Sequence, residues 1–308
     1  MYYRIYKLTF PAGVHFGNNS LENSEATMHA DTIFSALCHE AVGQSKEVLD
    51  ELVGAVENGD ILFSDALPFI GDMLYLPKPY ISIHSDSGDS KEKKKFKKLE
   101  YIPSELYQTF LDGKFPINEH GDDLDELGSH MVKTAVSVRG EEEPQPYRVG
   151  SFWFNEGCGL YIIAGFSDED REYFFMDLID ALSYDGIGGE RSSGYGRFEC
   201  RQAKTIPEEL ERALNGEHQR YVTLSVSLPS DDELENAVSG SHYQLVRRSG
   251  FVASGKYSDT QLRKNDLYVF DCGSVFRNRF RGQIADVSSG GTHPVYRYAK
   301  PLFIGVDV

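Results

Sequence analysis

The sequence predicts an α+β fold: two ferredoxin-like (RRM-like) domains, the first interrupted by an inserted thumb and lysine-rich region. Three observations lead there. Strand-like and helix-like segments follow the order β-α-β, insertion, β-α-β over residues 1–205, the split βαβ arrangement in which two helices cover one face of an antiparallel sheet. After a polar stretch holding Pro207, YVTLSVSL restarts regular structure with Val222, Leu224, Val226 and Leu228 alternating with hydroxyl residues, the mark of a half-buried strand, and strands then outnumber helices through residues 219–308. A length of 308 residues and a hydrophobic content of 40% allow two domains of ordinary size.

Taken in order, YYRIYKLTF is an aromatic and β-branched strand, closed by Pro11 and Gly13. DTIFSALCHEAV sets Ile33, Leu37 and Ala41 at fourfold spacing, with Asp31 positioned as N-cap, which predicts an amphipathic helix. ILFSDALPFI and MLYLPKPYISI are short strands broken by prolines, suited to an edge or an irregular sheet. Residues 84–148 are polar and poorly periodic and form the insertion, with a short helix at SELYQTFL and a hairpin through TAVSVRGEEEPQPYRVG. Within it KEKKKFKK, at 91–98, reads as a solvated loop. SFWFNEGCGLYIIAGF returns to strand, with Leu160, Ile162, Ala164 and Phe166 on one face. DREYFFMDLIDALSYDG is the second clear helix, burying Phe174, Leu178, Ala181 and Leu182 and ending at Gly186; YGRFECRQAK is a strand. TIPEELERALNGEHQ separates the halves. In the second half DELENAV is a short helix, and SHYQLVRR, GFVAS, LYVFDCGSVF and PLFIGV are strands, a degenerate version of the first domain.

Charge narrows the function. The net charge of −17 opposes non-specific binding to nucleic acid by the chain as a whole. It is unevenly spread: from Ser241 to Pro301 ten Lys or Arg face four acids, a local balance of +6. Tyr243, Phe251, Tyr257, Phe276, Phe280, Tyr296 and Tyr298 are interleaved with those cations, most of them as core. Cys38, Cys158, Cys200 and Cys272 have no C-x-x-C spacing, so neither a disulfide framework nor a cysteine zinc site is expected. No apolar run approaches the roughly 20 residues of a membrane span. The N-terminal MYYRIYKLTF lacks the marks of a signal peptide, so a cytoplasmic protein is expected.

The most informative stretch is GIGGERSSGYGRFEC, residues 186–200. Gly186, Gly188, Gly189, Gly194 and Gly196 let a backbone turn sharply and approach another backbone closely. Arg191 and Arg197 add fork donors suited to phosphate, and Ser192 and Ser193 add hydroxyls. Neither G-x-x-x-x-G-K-[ST] nor G-x-G-x-x-G fits any register. The loop also runs from helix to strand, whereas nucleotide loops run from strand to helix and aim a helix N-terminus at the phosphate. Glycines alone would indicate only close packing of helix and strand. The interleaved Arg and Ser point to a clamp for a phosphodiester chain, built from turn amides with arginines beside them.

The pattern G-x-G-G-x-R-S-x-G-x-G-R resembles the glycine-rich loop of the RAMP superfamily of CRISPR-associated RNA-binding proteins. HADTIFSAL, GLYIIAGF, LYVFDCGSVF and GGTHPVYRYAKPLFIGV resemble the fourth Csm-series subunits of type III-A effector complexes, and the resemblance spans nearly the whole chain. It implies a non-catalytic scaffold with no cofactor or metal. That scaffold grips the 5′ repeat-derived handle of the CRISPR RNA, docks the large polymerase-like signature subunit, abuts the repeated backbone subunit, and carries an inserted β-hairpin thumb that kinks the RNA. It further implies handle contacts from Gly186, Gly188, Gly189, Arg191, Ser192, Ser193, Gly194, Gly196 and Arg197, with Gly290, Gly291, His293, Tyr296 and Arg297 as the second domain's counterpart. His29, Arg247, Arg248 and Lys256 complete the expected RNA-binding set.

The alternative is a metal-independent endoribonuclease, since some RAMP relatives cleave precursor RNA with a histidine near the first helix. His15, His29 and His39 lie in that part of the chain. Acid–base cleavage needs donor and acceptor within reach of the 2′-OH and the leaving oxygen, and no spacing here certifies such a set. A metal at Asp31 is weaker still, because an N-cap role accounts for that residue.

Overall fold

The computed structural model describes residues 1–17, 20–83, 90–137, 145–253 and 257–308. The first half contains β1 (Tyr2–Thr9), α1 (Ala30–Gln44), α2 (Lys46–Asn58), β2 (Ile61–Phe63), β3 (Leu67–Ile70), β4 (Met73–Pro77), α3 (Ser90–Lys98), β5 (Tyr101–Pro103), β6 (Gly128–Ser137), β7 (Gln145–Phe154), β8 (Cys158–Phe166), α4 (Glu169–Asp185) and β9 (Glu199–Gln202). The second contains α5 (Glu208–Asn215), β10 (Arg220–Thr223), α6 (Asp231–Val238), β11 (Leu245–Arg248), β12 (Leu267–Phe270), β13 (Val275–Phe276), β14 (Gln283–Asp286), β15 (Tyr296–Ala299) and β16 (Phe303–Val306).

The main sheet runs β9-β1-β8-β3-β4-β5, with β2 also paired to β8. β1 lies antiparallel to β8 from Tyr2 opposite Phe166 to Leu8 opposite Leu160. Every residue of β8 is buried, because both sheet faces are covered. Leu160, Ile162, Ala164 and Phe166 share one face, as their spacing predicts, and pack with α1, α2 and α4. Tyr161 and Ile163 pack on the other face with the insertion and with Leu210, Leu214, Val222 and Ile304 of the second half.

That shared core corrects three expectations. TIPEELERALNGEHQ is a packed element: it forms α5, which buries Leu210 and Leu214. YVTLSVSL is buried on both faces, since Thr223, Ser225 and Ser227 are as inaccessible as Val222, Leu224 and Val226. Ser225 shows how the hydroxyls are accommodated, donating to the Lys300 carbonyl at 2.8 Å and accepting from the Leu302 amide at 2.9 Å. The lysine-rich run is helical as α3, pinned where Lys78 Nζ donates to the Phe96 carbonyl at 2.6 Å and Phe96 stacks on Phe110.

Smaller differences follow from local chemistry. A second helix, α2, extends the first after Ser45, whose hydroxyl caps the Val48 amide, and ends at Gly59 in the left-handed region. α4 buries Phe175, Leu178, Ile179 and Leu182, a face turned slightly from the expected one. β7 belongs to the inserted hairpin, paired with β6 from Gly128 opposite Phe154 to Ser137 opposite Gln145. The connection through 138–144 lies outside the described residues. The second half holds a β13-β10-β16 sheet and two ribbons, β11-β12 and β14-β15. Among the described residues of GFVAS, Phe251 forms an isolated bridge with Arg263 in place of a strand.

Candidate nucleic-acid interface

The glycine-rich loop is folded by four glycines at positive φ: Gly186, Gly188, Gly194 and Gly196. At Gly196 a Cβ would sit 2.1 Å from the Ile187 carbonyl oxygen, so the two limbs of the loop close only because that atom is absent. Gly194 differs, since a Cβ there would meet nothing within 4 Å. Between the limbs Glu190 also adopts positive φ, starting a tight turn over Arg191–Ser193. Ile187 and Phe198 anchor the base in the core, while Arg191, Ser192, Ser193, Gly194 and Arg197 are exposed. Neither arginine is ion-paired among the described residues; Arg191 makes one weak bond, 3.4 Å to the Gly186 carbonyl.

The platform under the loop is segment 13–16. The Gly196 amide donates to the Gly13 carbonyl at 3.0 Å and the Gly189 amide to the His15 carbonyl at 2.8 Å. The same segment holds the base of the inserted hairpin: Val14 and Phe152 exchange backbone bonds of 2.8 and 2.9 Å, and His15 Nδ1 lies 2.6 Å from the Gly150 carbonyl. Trp153 of β7 meets Tyr195 of the loop edge-on at 6.3 Å. Loop and hairpin therefore rise from one foundation. Met131, Val132, Val136, Tyr147 and Trp153 leave apolar side chains of the hairpin exposed. The seat of His15 under the loop and the hairpin's contact with Tyr195 were not legible from spacing, because both depend on pairings far apart in sequence.

A second cluster joins the halves. His29, not Asp31, is the N-cap of α1, and its Nδ1 lies 2.7 Å from Asp65 Oδ2. Asp65 Oδ1 accepts from the Ala30 amide at 2.8 Å and the Val226 amide at 3.1 Å, capping α1 from across the chain. Burial works to lower the His29 pKa, but the Asp65 carboxylate prevails and raises it. Asp31 sits in the first turn of α1 and binds Arg248 in fork geometry, Nη2 to Oδ1 at 2.7 Å and Nε to Oδ2 at 2.9 Å. Arg297 Nη1 also donates to Oδ2. Burial would raise the Asp31 pKa, yet Arg248 and then Arg297 hold it well below the usual carboxylate range.

The expected site residues thus divide. Arg248 and Arg297 are committed to Asp31, and Arg297 is buried. Arg247 is exposed on the opposite face of β11, 3.7 Å from Asp266. Gly290 and His293 are exposed in the turn between β14 and β15, where Gly291 packs so closely on Tyr257 that a Cβ would clash. Tyr296 is half-buried on β15. Lys256 lies outside the described residues. Among the described residues no cluster of three or more His, Cys, Asp or Glu is arranged to hold a metal, and no helix is long and apolar enough to cross a membrane.

Comparison with known proteins identifies the family. Residues 216–306 match the family model for the CRISPR Csm4 C-terminal domain. The CRISPR system Cms protein Csm4 of Mycobacterium tuberculosis H37Rv is 40% identical over 305 residues, covering 98% of this chain and 97% of that one. The fold is shared with a Csm3-Csm4 subcomplex of the type III-A interference complex, with a TM-score of 0.66, 17% identity and coverage of 98% and 99%. It is shared too with a Csm1-Csm4 cassette in complex with AMPPNP, with a TM-score of 0.60, 19% identity and coverage of 99% and 97%. Identity across nearly the full length places this chain in the Csm4 family of CRISPR proteins.

Proposed function

We propose that the chain is a non-catalytic, RNA-binding subunit of a type III-A CRISPR effector complex in the cytoplasm. It grips the 5′ handle of the CRISPR RNA and joins the large signature subunit to the backbone filament. The observation that carries this is the exposed Arg191–Ser193 turn with Arg197, seated on the segment that also roots the hairpin. Such a site offers free guanidinium forks and turn amides to a phosphate backbone, and apolar side chains to unstacked bases. The first half, with strands in the order β9-β1-β8-β2/β3 and α1 and α4 on one face, is read as a ferredoxin-like RAMP domain at 1–205. Residues 219–308 are read as its degenerate counterpart, and β6–β7 as the thumb.

The relatives of this fold solved with Csm3 and with Csm1 support two protein partners, the backbone subunit and the large subunit. A scaffolding role also fits the histidines, since His29 is engaged by Asp65 and His15 lies under the loop against Gly150. Handle binding is tested by titrating RNA bearing a repeat-derived 5′ end into wild-type protein and into an Arg191→Ala, Arg197→Ala variant. Charge-assisted contacts of this kind predict a loss of about tenfold or more per arginine. Arg171→Ala, which breaks only an ion pair with Glu51 on the helical surface, is the control. Equal losses in both variants would remove the loop from the site.

A further inference from the structure

The β11–β12 ribbon has two unlike faces. Val246 and Arg248 point inward, to a small core with Val226 and Val269 and to Asp31 respectively. Leu245, Arg247 and Tyr268 point outward, with Arg247 directly opposite Tyr268 in the pairing register. Tyr268 is 57% exposed and Phe251, just beyond the strand, 54%. Arg263 pairs with Phe251 through an isolated bridge and places its guanidinium 5.9 Å from the ring centroid. Tyr243, at the other end, packs on Phe270 in a tilted contact with ring centroids 4.6 Å apart and stays exposed.

Rings of this size left open to water call for an occupant. Charge selects it. Two exposed arginines lie beside rings, Arg263 near Phe251 and Arg247 opposite Tyr268, with Asp266 at 3.7 Å from Arg247. Alternating guanidinium and aromatic faces suit a polyanion that carries stackable bases. The inner face is fixed to the first turn of α1 through Arg248 and Asp31. At the base of the glycine-rich loop, Ile187 belongs to the same buried core as Ile33, Leu37 and Ala41 of α1. The ribbon and the loop thus border the same helix.

On the reading of the chain as an RNA-binding subunit, we propose that Tyr243, Arg247, Phe251, Arg263 and Tyr268 form a second single-stranded RNA subsite, which stacks nucleotides flanking those held by the loop. The test uses the full chain and two fluorescein-labelled single-stranded RNAs: the handle alone, and the handle extended by flanking nucleotides. Phe251→Ala with Tyr268→Ala raises the Kd for the extended RNA by about fivefold or more per ring and leaves the short RNA near the wild-type value. Tyr268→Phe keeps the ring and the affinity. Both side chains are exposed, so thermal melting of these variants should match the wild type. If the variants bind the extended RNA normally, the subsite is refuted while the loop still stands; should they lose only a protein subunit in pull-down, the ribbon is a protein interface and the proposal is wrong. Failure of the wild-type chain to bind either RNA overturns the RNA-binding reading itself, and the subsite with it.

Discussion

Replacing Asp31 by Ala should be among the most damaging single changes in the molecule, although a carboxylate in a helix's first turn looks dispensable from sequence. Its side chain is 1% exposed and accepts from two guanidinium groups, Arg248 and Arg297. Arg297 is itself buried, and its Nε has no hydrogen-bond partner among the described residues. Removing the carboxylate strands that cation, and breaking a buried pair on one side costs about 3–5 kcal/mol. Total stability for a protein is about 5–15 kcal/mol, so the loss is a large fraction. Urea denaturation at neutral pH measures it. Arg297→Met should be costly alone but nearly free on the Asp31→Ala background, since the stranded charge goes with it; the two changes should be non-additive by more than about 1 kcal/mol. A pH series adds a second readout. The Asp31 pKa is lowered in the folded state, so its contribution is complete above the unfolded value and should be lost only as pH falls below about 4, toward the depressed folded value. Additive changes, or a loss under about 1 kcal/mol for Asp31→Ala, would refute a structural role for this cluster.

The remaining predictions concern the loop and the N-cap. Gly196→Ala should destabilise the protein and abolish handle binding, because its Cβ would meet the Ile187 carbonyl, whereas Gly194→Ala should pay only the left-handed backbone cost of about 1–2 kcal/mol; thermal melts and RNA titration compare them. The His29–Asp65 pair raises the His29 pKa, so its stabilisation is complete below about pH 6.5 and lost as pH rises through the folded value; Asp65→Asn should remove that part of the stability–pH curve. Purified protein should leave repeat-bearing RNA uncut, and His29→Ala should not change any trace of cleavage seen on a denaturing gel.

The sequence and the structure agree where physics is local or strongly periodic. The alternation in GLYIIAGF sets the two faces of β8, and Gly186 ends α4 at a positive φ that glycine adopts readily. The course of the glycine-rich loop was legible because Gly186, Gly188, Gly194 and Gly196 mark its turns, and all four take positive φ. What was hidden came from long-range pairing. Asp31 fits an N-cap by composition, yet Asp65 takes that duty from 35 residues away and frees Asp31 for Arg248 and Arg297. Arg248 and Arg247 are neighbours in one basic stretch, but strand alternation sends one inward to a buried carboxylate and the other to solvent. The lysine run became helical because Phe96 finds Phe110, a contact invisible to charge counting.

The central claim, that the loop at 186–197 holds the guide's 5′ end, is tested most directly by photo-cross-linking. Native complex would be isolated on this subunit, with photoreactive nucleotides incorporated into its CRISPR RNA, and the cross-linked peptides mapped by mass spectrometry. We expect handle nucleotides on the peptide spanning Arg191 and Arg197. RNA that co-purifies but cross-links its handle only to other subunits would contradict the claim.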